Sequence, residues 1–153
     1  MSAPSAAVVA ASRRTPIVVV LGTTGAGKSK LAIEIAQRFG GEVISADAVQ
    51  MYKGLDIVTN KVTKEERSLV KHHCIDFLHP LTRFNIVDFR NMALPIIESL
   101  LGEGKIPVIC GGTNYYIESL LWKILIDDSD DRYDHVHNWE APRFVHLINI
   151  AKE

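Results

Sequence analysis

The chain has 153 residues, 47% hydrophobic and 23% charged, with a formal net charge of −1; this gives room for one modest domain with a real core and excludes both disordered composition and the global basic field of a dedicated nucleic-acid binder. Its two cysteines, Cys74 and Cys110, form no CxxC pair, which argues against a disulfide framework or a thiolate zinc site and for a reducing compartment. No apolar run approaches the roughly 20 residues needed to span a bilayer, so no membrane partner is expected.

Residues 1–16, MSAPSAAVVAASRRTP, are rich in Ala and Ser, carry Arg13 and Arg14, and precede the first acid of the chain, Glu34. Transit peptides share that composition; a flexible leader ahead of the first strand is the plainer alternative. With both open, the expected location is mitochondrial and/or cytoplasmic.

Ile17–Leu21 is a continuous β-branched run, as in a strand buried on both faces of a parallel sheet. A loop, GTTGAGKS, follows from Gly22 to Ser29. Lys28–Phe39 places Leu31, Ala32, Ile35, Ala36 and Phe39 at helical spacing, and Gly40 and Gly41 end that helix. Glu42–Ala46 reads as a second strand that ends at Asp47, completing a βαβ unit. Residues 53–80 are polar and loop-rich, with a short helix expected in KEERSLVKHH. Val87–Leu101 reads as a helix in which Pro95 marks a kink or a division into two pieces. Ile106–Cys110 is another buried strand, followed by Gly111 and Gly112, and Tyr115–Ile126 reads as an apolar helix. Beyond it, DDSDD reads as a solvated turn or linker, and periodicity is lost until a short apolar stretch near the end. His135, His137 and His146 have no ligand-like scaffold around them, so zinc is not expected.

The loop matches G-x-x-x-x-G-K-[ST] in full through Gly22, Gly27, Lys28 and Ser29. Glycines let backbone N–H groups converge on an anion, and the following helix adds its positive end. Lys28 supplies a point charge to the terminal phosphates, and the Ser29 hydroxyl suits Mg²⁺. Asp47 arrives at the carboxyl end of the second strand, where α/β folds bind ligands. There it can act as a base, hold the metal or cap the next segment. An ATPase of this class usually carries an acid after a later strand. Here IPVIC runs into Gly111-Gly112-Thr113-Asn114, which weakens an ATP-hydrolysis reading and leaves a small-metabolite kinase open.

GTTGAGKS, SADAVQMYKGLDIVTNK (Ser45–Lys61), HHCID (His72–Asp76), VDFR (Val87–Arg90) and IPVICGGTNYYIESLLW (Ile106–Trp122) together resemble the tRNA dimethylallyltransferases, also called tRNA isopentenyltransferases. Their order and spacing match the family's amino-terminal half over about 17–126, and the eukaryotic, often mitochondrial, branch looks nearest. The resemblance implies a P-loop NTPase-like parallel sheet flanked by helices, incomplete at its C-terminal end. It also implies transfer of a dimethylallyl group from dimethylallyl diphosphate to the exocyclic amine of the adenosine beside the tRNA anticodon. Gly22, Thr23, Thr24, Gly25, Ala26, Gly27, Lys28 and Ser29 would then bind diphosphate, Ser29 would help place Mg²⁺, and Asp47 would take the amine proton. Thr113 would sit across the site near the reacting groups, while Gln50, Thr59, Asn60 and Lys61 would line the tRNA side.

The family's tRNA-gripping insertion and its second basic clamp have no counterpart in 127–153, which is expected to be a divergent tail. Diphosphate or nucleotide binding with reduced or no transfer is therefore the expectation for this chain. An adenylate isopentenyltransferase and a non-catalytic fragment remain as alternatives.

Overall fold

Alternation along the first strand sets the frame. Ile17 and Val19 enter one apolar cluster, Val18 and Val20 the other, and all four are buried. A strand apolar on both faces requires a layer on each side. The computed structural model describes residues 15–23, 25, 27–54, 61–121 and 145–150. Strands β1 (Ile17–Gly22), β2 (Gly41–Ser45), β3 (His72–His73), β4 (Ile106–Cys110) and β5 (Val145–Ile150) make one sheet in the order β3-β2-β4-β1-β5. Every pairing between them is parallel.

Helix α1 (Lys28–Phe39) covers one face, with Ala32 and Ala36 packed among Val18, Val20, Val43, Val108 and Cys110. Alanines on its inner side let the helix lie close to the strands. Helices α3 (Ile86–Gly102) and α4 (Asn114–Leu121) cover the other face through Phe89, Leu94, Ile97, Tyr116, Ile117 and Leu120. Phe89 stacks on Tyr116 with ring centroids 4.4 Å apart, which ties these two helices together. The short helix α2 (Lys64–Leu69) lies between β2 and β3 in the chain.

The expected elements are present with shifted ends. The second strand starts one residue earlier and stops at Ser45. Pro95 divides nothing: α3 runs unbroken through it with the ring exposed, so the missing N–H lies on the solvent side. An Asn85–Asp88 capping box starts that helix, which satisfies its first donors reciprocally. The final helix is described from Asn114 to Leu121, and the expected extension to Ile126 lies outside the described residues.

Two strands are additions. His72–His73 pairs with Val43–Ile44 as β3, too short and polar to be read as a strand. Val145–Ile150, within the segment expected to be a divergent tail, pairs along its whole length with Ile17–Gly22.

At the amino-terminal edge of the sheet, Glu42 receives His73 Nε2 at 2.6 Å and Lys105 Nζ at 3.2 Å. Burial pushes the Glu42 carboxyl up, but His73 and Lys105 outweigh it and hold the carboxyl below its usual value. At the opposite edge, β4 passes so close to β2 that a Cβ on Gly111 would lie 2.2 Å from Ala46 O and 2.4 Å from Ala46 C. Both obstacles are backbone atoms and cannot rotate away. Gly111→Ala is therefore expected to cost about 3 kcal/mol of stability, read as a lowered urea midpoint.

Burial pushes the Cys74 thiol up to about 12 and the Cys110 thiol up to about 11. Both stay neutral at physiological pH and are poor nucleophiles. The native chain should show no reaction with a thiol reagent at about pH 7.5, and full denaturant should release both of its 2 cysteines. Because the folded values are raised, this contribution to stability is complete below the ordinary thiol value of 9.0 and fades as pH climbs through about 11–12.

Candidate functional site

The loop between β1 and α1 is built to leave donors open. Gly27 caps α1 with φ at +87° and offers no side chain to the helix. That left-handed conformation favours glycine. The N–H groups of the first turn are thus not claimed by a capping side chain, and the first turn carries no acid to offset the helix's positive end. Lys28 folds back over its own loop, donating to Thr23 O at 2.8 Å. Gly22 closes β1 against β5, where a Cβ would meet Ile150 O at 2.6 Å.

Asp47 follows the end of β2. Its Oδ1 accepts from Val49 N at 3.0 Å and from Gln50 N at 3.4 Å, so the carboxylate caps the turn that follows. That orientation is reinforced from β4. Thr113 Oγ1 accepts from Ala48 N at 3.1 Å, and Thr113 N donates to Ala46 O at 3.3 Å. The two bonds bracket Asp47 on either side in the chain. Ala46 N also donates to Cys110 O at 2.8 Å. Thr113, expected among the reacting groups, thus has an evident mechanical role, holding the backbone that carries the carboxylate.

One cavity of about 390 Å³ gathers seven of the ten expected residues that the structure describes, and Gly22, Thr23 and Thr113 do not line it. Gly25, Gly27, Lys28 and Ser29 come from the loop, Asp47 and Gln50 from the end of β2, and Lys61 from the stretch before α2. Thr24, Ala26, Thr59 and Asn60 lie outside the described residues. Lys61 is not a solvated charge. Its side chain is 3% exposed, and its ammonium donates to Tyr52 O, Gly54 O and Asp76.

Several lining residues escaped the sequence reading, namely Lys30, Val62, Thr63, Glu66 and Cys110, while Gly111 belongs to the glycine pair already noted after the third apolar strand. Thr63 and Glu66 form the capping box of α2. The spacing T-x-x-E carried that signal, although it spoke only for a helix start. Cys110 reports on the chemistry around it. After burial, its thiol is influenced downward by Lys28 and upward by Asp47, so a cation and an anion both act on the floor of the cavity. Among the described residues there is no cluster of three His, Cys, Asp or Glu side chains fit to hold a metal by themselves.

A backbone cradle with a lysine, facing a fixed carboxylate, can bind a chain of phosphates and receive a proton nearby. Comparison with known proteins narrows the class. Residues 15–76 match the family model described as isopentenyl transferase, and residues 50–145 match that described as IPP transferase. The chain is 55% identical over 116 residues to a human tRNA dimethylallyltransferase, covering 75% of this chain and 25% of that protein. Among solved structures, a tRNA isopentenylpyrophosphate transferase from Staphylococcus epidermidis superposes with a TM-score of 0.70 at 42% identity, over 75% of this chain and 38% of that one. A eukaryotic dimethylallyltransferase described as acting on tRNA gives a TM-score of 0.70 at 38% identity, over 74% and 28%. The chain thus spans about a quarter to two fifths of the lengths of these proteins. With the phosphate loop, the carboxylate after β2 and the glycine pair after β4 all lying on the matched residues, the chain belongs to the IPP transferase family.

Proposed function

We propose that the cavity takes the diphosphate of dimethylallyl diphosphate on its phosphate loop and presents the dimethylallyl carbon to the exocyclic amine of an adenosine in tRNA. The observation that carries the reading is the placement of Asp47 in one cavity with Lys28, Ser29 and the glycine pair's Gly111. The strand that would bring a metal-holding acid in an ATPase ends instead in Gly111 and Gly112.

An aromatic amine is a weak nucleophile, so two things must be supplied. The leaving diphosphate needs charge neutralised as the carbon–oxygen bond breaks, which the α1 amides and Lys28 do in this reading. The amine needs a base as the carbon–nitrogen bond forms, and Asp47 takes that proton. Its capping bonds from Val49 N and Gln50 N fix the carboxylate in advance, so no reorganisation is needed at the moment of transfer. The target base has to leave its stack to enter the cavity. Gln50, on the cavity wall, would meet the acceptor in this reading.

Mg²⁺ fits the donors available. The Ser29 hydroxyl offers a hard oxygen ligand beside the loop, and Mg²⁺ commonly binds through one or two protein oxygens plus substrate phosphates. When bound, it would add positive charge against the departing diphosphate.

Lys28→Ala is expected to weaken diphosphate binding by about ten-fold or more, measured by titration calorimetry. Asp47→Asn should leave that binding within about two-fold and lower dimethylallyl transfer to an anticodon stem-loop RNA by roughly 10²–10⁴. ATP turnover with no prenyl transfer would overturn the reading. Thr113→Val removes the acceptor for Ala48 N and should cost about 1–2 kcal/mol of stability. It should also lower kcat without raising the KM for the donor, because it moves the base and leaves the phosphate loop intact.

A further inference from the structure

Lys61 carries a charge into a nearly closed space, where a cation withdrawn from water requires close partners. It has them in the carbonyls of Tyr52 and Gly54 and in Asp76 Oδ1, which lies 3.1 Å from its ammonium. Asp76 is itself held from several directions. Its N–H donates to Gln50 O at 3.0 Å, and the next two residues, Phe77 and Leu78, both donate to Met51 O at 2.8 Å. Lys53 N returns a bond to Leu78 O at 2.7 Å. The Gly54 backbone hydrogen-bonds the Asp76 carboxylate, and Arg67 of α2 stands 3.7 Å from Oδ2. Asp76 adopts φ of +55°, a left-handed conformation that Asp tolerates better than most residues. Cys74, just past the end of β3, shares that conformation at φ of +61°, and the chain bends over 74–76.

The consequence falls on the cavity. Lys61, Val62, Thr63 and Glu66 form a wall that does not belong to the phosphate loop, and Gln50 lies on the same cavity. Asp76 touches both sides of that arrangement, Gln50 through its backbone and Lys61 through its carboxylate. An exposed ion pair would contribute little. Here one member is buried, so losing Asp76 removes an anionic anchor from a desolvated ammonium.

We propose that Asp76 is a positioning residue for the acceptor side of the cavity: through Lys61 it fixes the wall of Lys61, Thr63 and Glu66 against the Gln50 turn. The identity of the acceptor rests on the prenyl-transfer reading; the mechanical coupling does not.

The test uses the 153-residue chain with Asp76→Asn, Lys61→Met and Lys61→Arg, read by amide hydrogen exchange and by dimethylallyl transfer to an anticodon stem-loop RNA. In Asp76→Asn and Lys61→Met, the amides of 50–53 and 61–66 should exchange about ten-fold faster, while those of β1, α1 and β4 stay within about two-fold. Lys61→Arg, which keeps a charged donor, should fall between these variants and the parent. In transfer, the KM for RNA should rise about five-fold or more, with the KM for dimethylallyl diphosphate within about two-fold. Unchanged exchange at 61–66 overturns the proposal. So does faster exchange throughout the sheet, which marks a merely structural role, or an equal rise in both KM values. Failure of the parent chain to bind dimethylallyl diphosphate overturns the prenyl-transfer reading instead, and the exchange pattern alone then decides whether Asp76 positions the wall.

Discussion

The insertion of β4 between β1 and β2 is the constraint on which the rest of the structure depends. Val18, Val19 and Val20 pair with Val108, Ile109 and Cys110, while Gly41 through Ser45 pair with Ile106 through Cys110. Because all three strands run the same way, their carboxyl ends emerge side by side. The phosphate loop, Asp47 and the glycine pair are each a continuation of one of these ends. Residues far apart in sequence thus share one cavity without any long side chain reaching across the fold. The close passage of Gly111 against Ala46 belongs to the same constraint, since a wider spacing would carry the carboxylate away from the loop.

Polar bonds do a different job from the apolar layers. The core is made of Val, Ile, Leu and Ala in two clusters, which fix where the sheet and helices lie but not how the loops end. The loop ends are set by backbone donors meeting single side-chain oxygens. Thr113 takes the N–H of Ala48, Asp47 takes those of Val49 and Gln50, and Asn85 takes those of Val87 and Asp88. Such bonds contribute modestly in net free energy, and where the donor is half-buried, as at Ala48 and Gln50, leaving it unmet costs more. They therefore select one conformation of each turn, which is what a site needs from its supports.

Much of the fold was legible because both faces of β1, β2 and β4 are buried: continuous β-branched runs broken by glycine leave few other readings. The helices α1 and α3 were legible from their periodicity and ends. The strands that escaped are those whose identity comes from their neighbours. His72–His73 becomes a strand only because Val43–Ile44 offers an edge. Val145–Ile150 becomes one because the far side of β1 would otherwise present six unpaired backbone positions. At the site, motif spacing picked out the loop, since a phosphate cradle demands glycines and a lysine at fixed offsets, and Asp47 was picked out by its place at the carboxyl end of the second strand, with its work left to the family resemblance. It could not assign work to Lys61 or Thr113. Their roles depend on carbonyls and N–H groups of other segments, and backbone partners leave no mark in a one-dimensional pattern.

A phosphate loop by itself is indifferent to what its phosphates are attached to. Amides and one lysine stabilise a diphosphate whether a phosphoryl group is transferred or the whole diphosphate departs from carbon. The distinction has to come from the groups that face the loop. A phosphoryl-transfer site gains from a second acid to hold metal on the terminal phosphate, and the end of β4 supplies glycines where that acid would stand. A carbon-transfer site gains from a base aimed at the incoming nucleophile, together with a wall that keeps a large acceptor in place. In the proposed reading those two needs fall to Asp47, which accepts from two backbone donors, and to the Lys61 wall, tied to the Gln50 turn through Asp76. What separates the readings physically is therefore the immobilised surroundings of the loop rather than the loop itself.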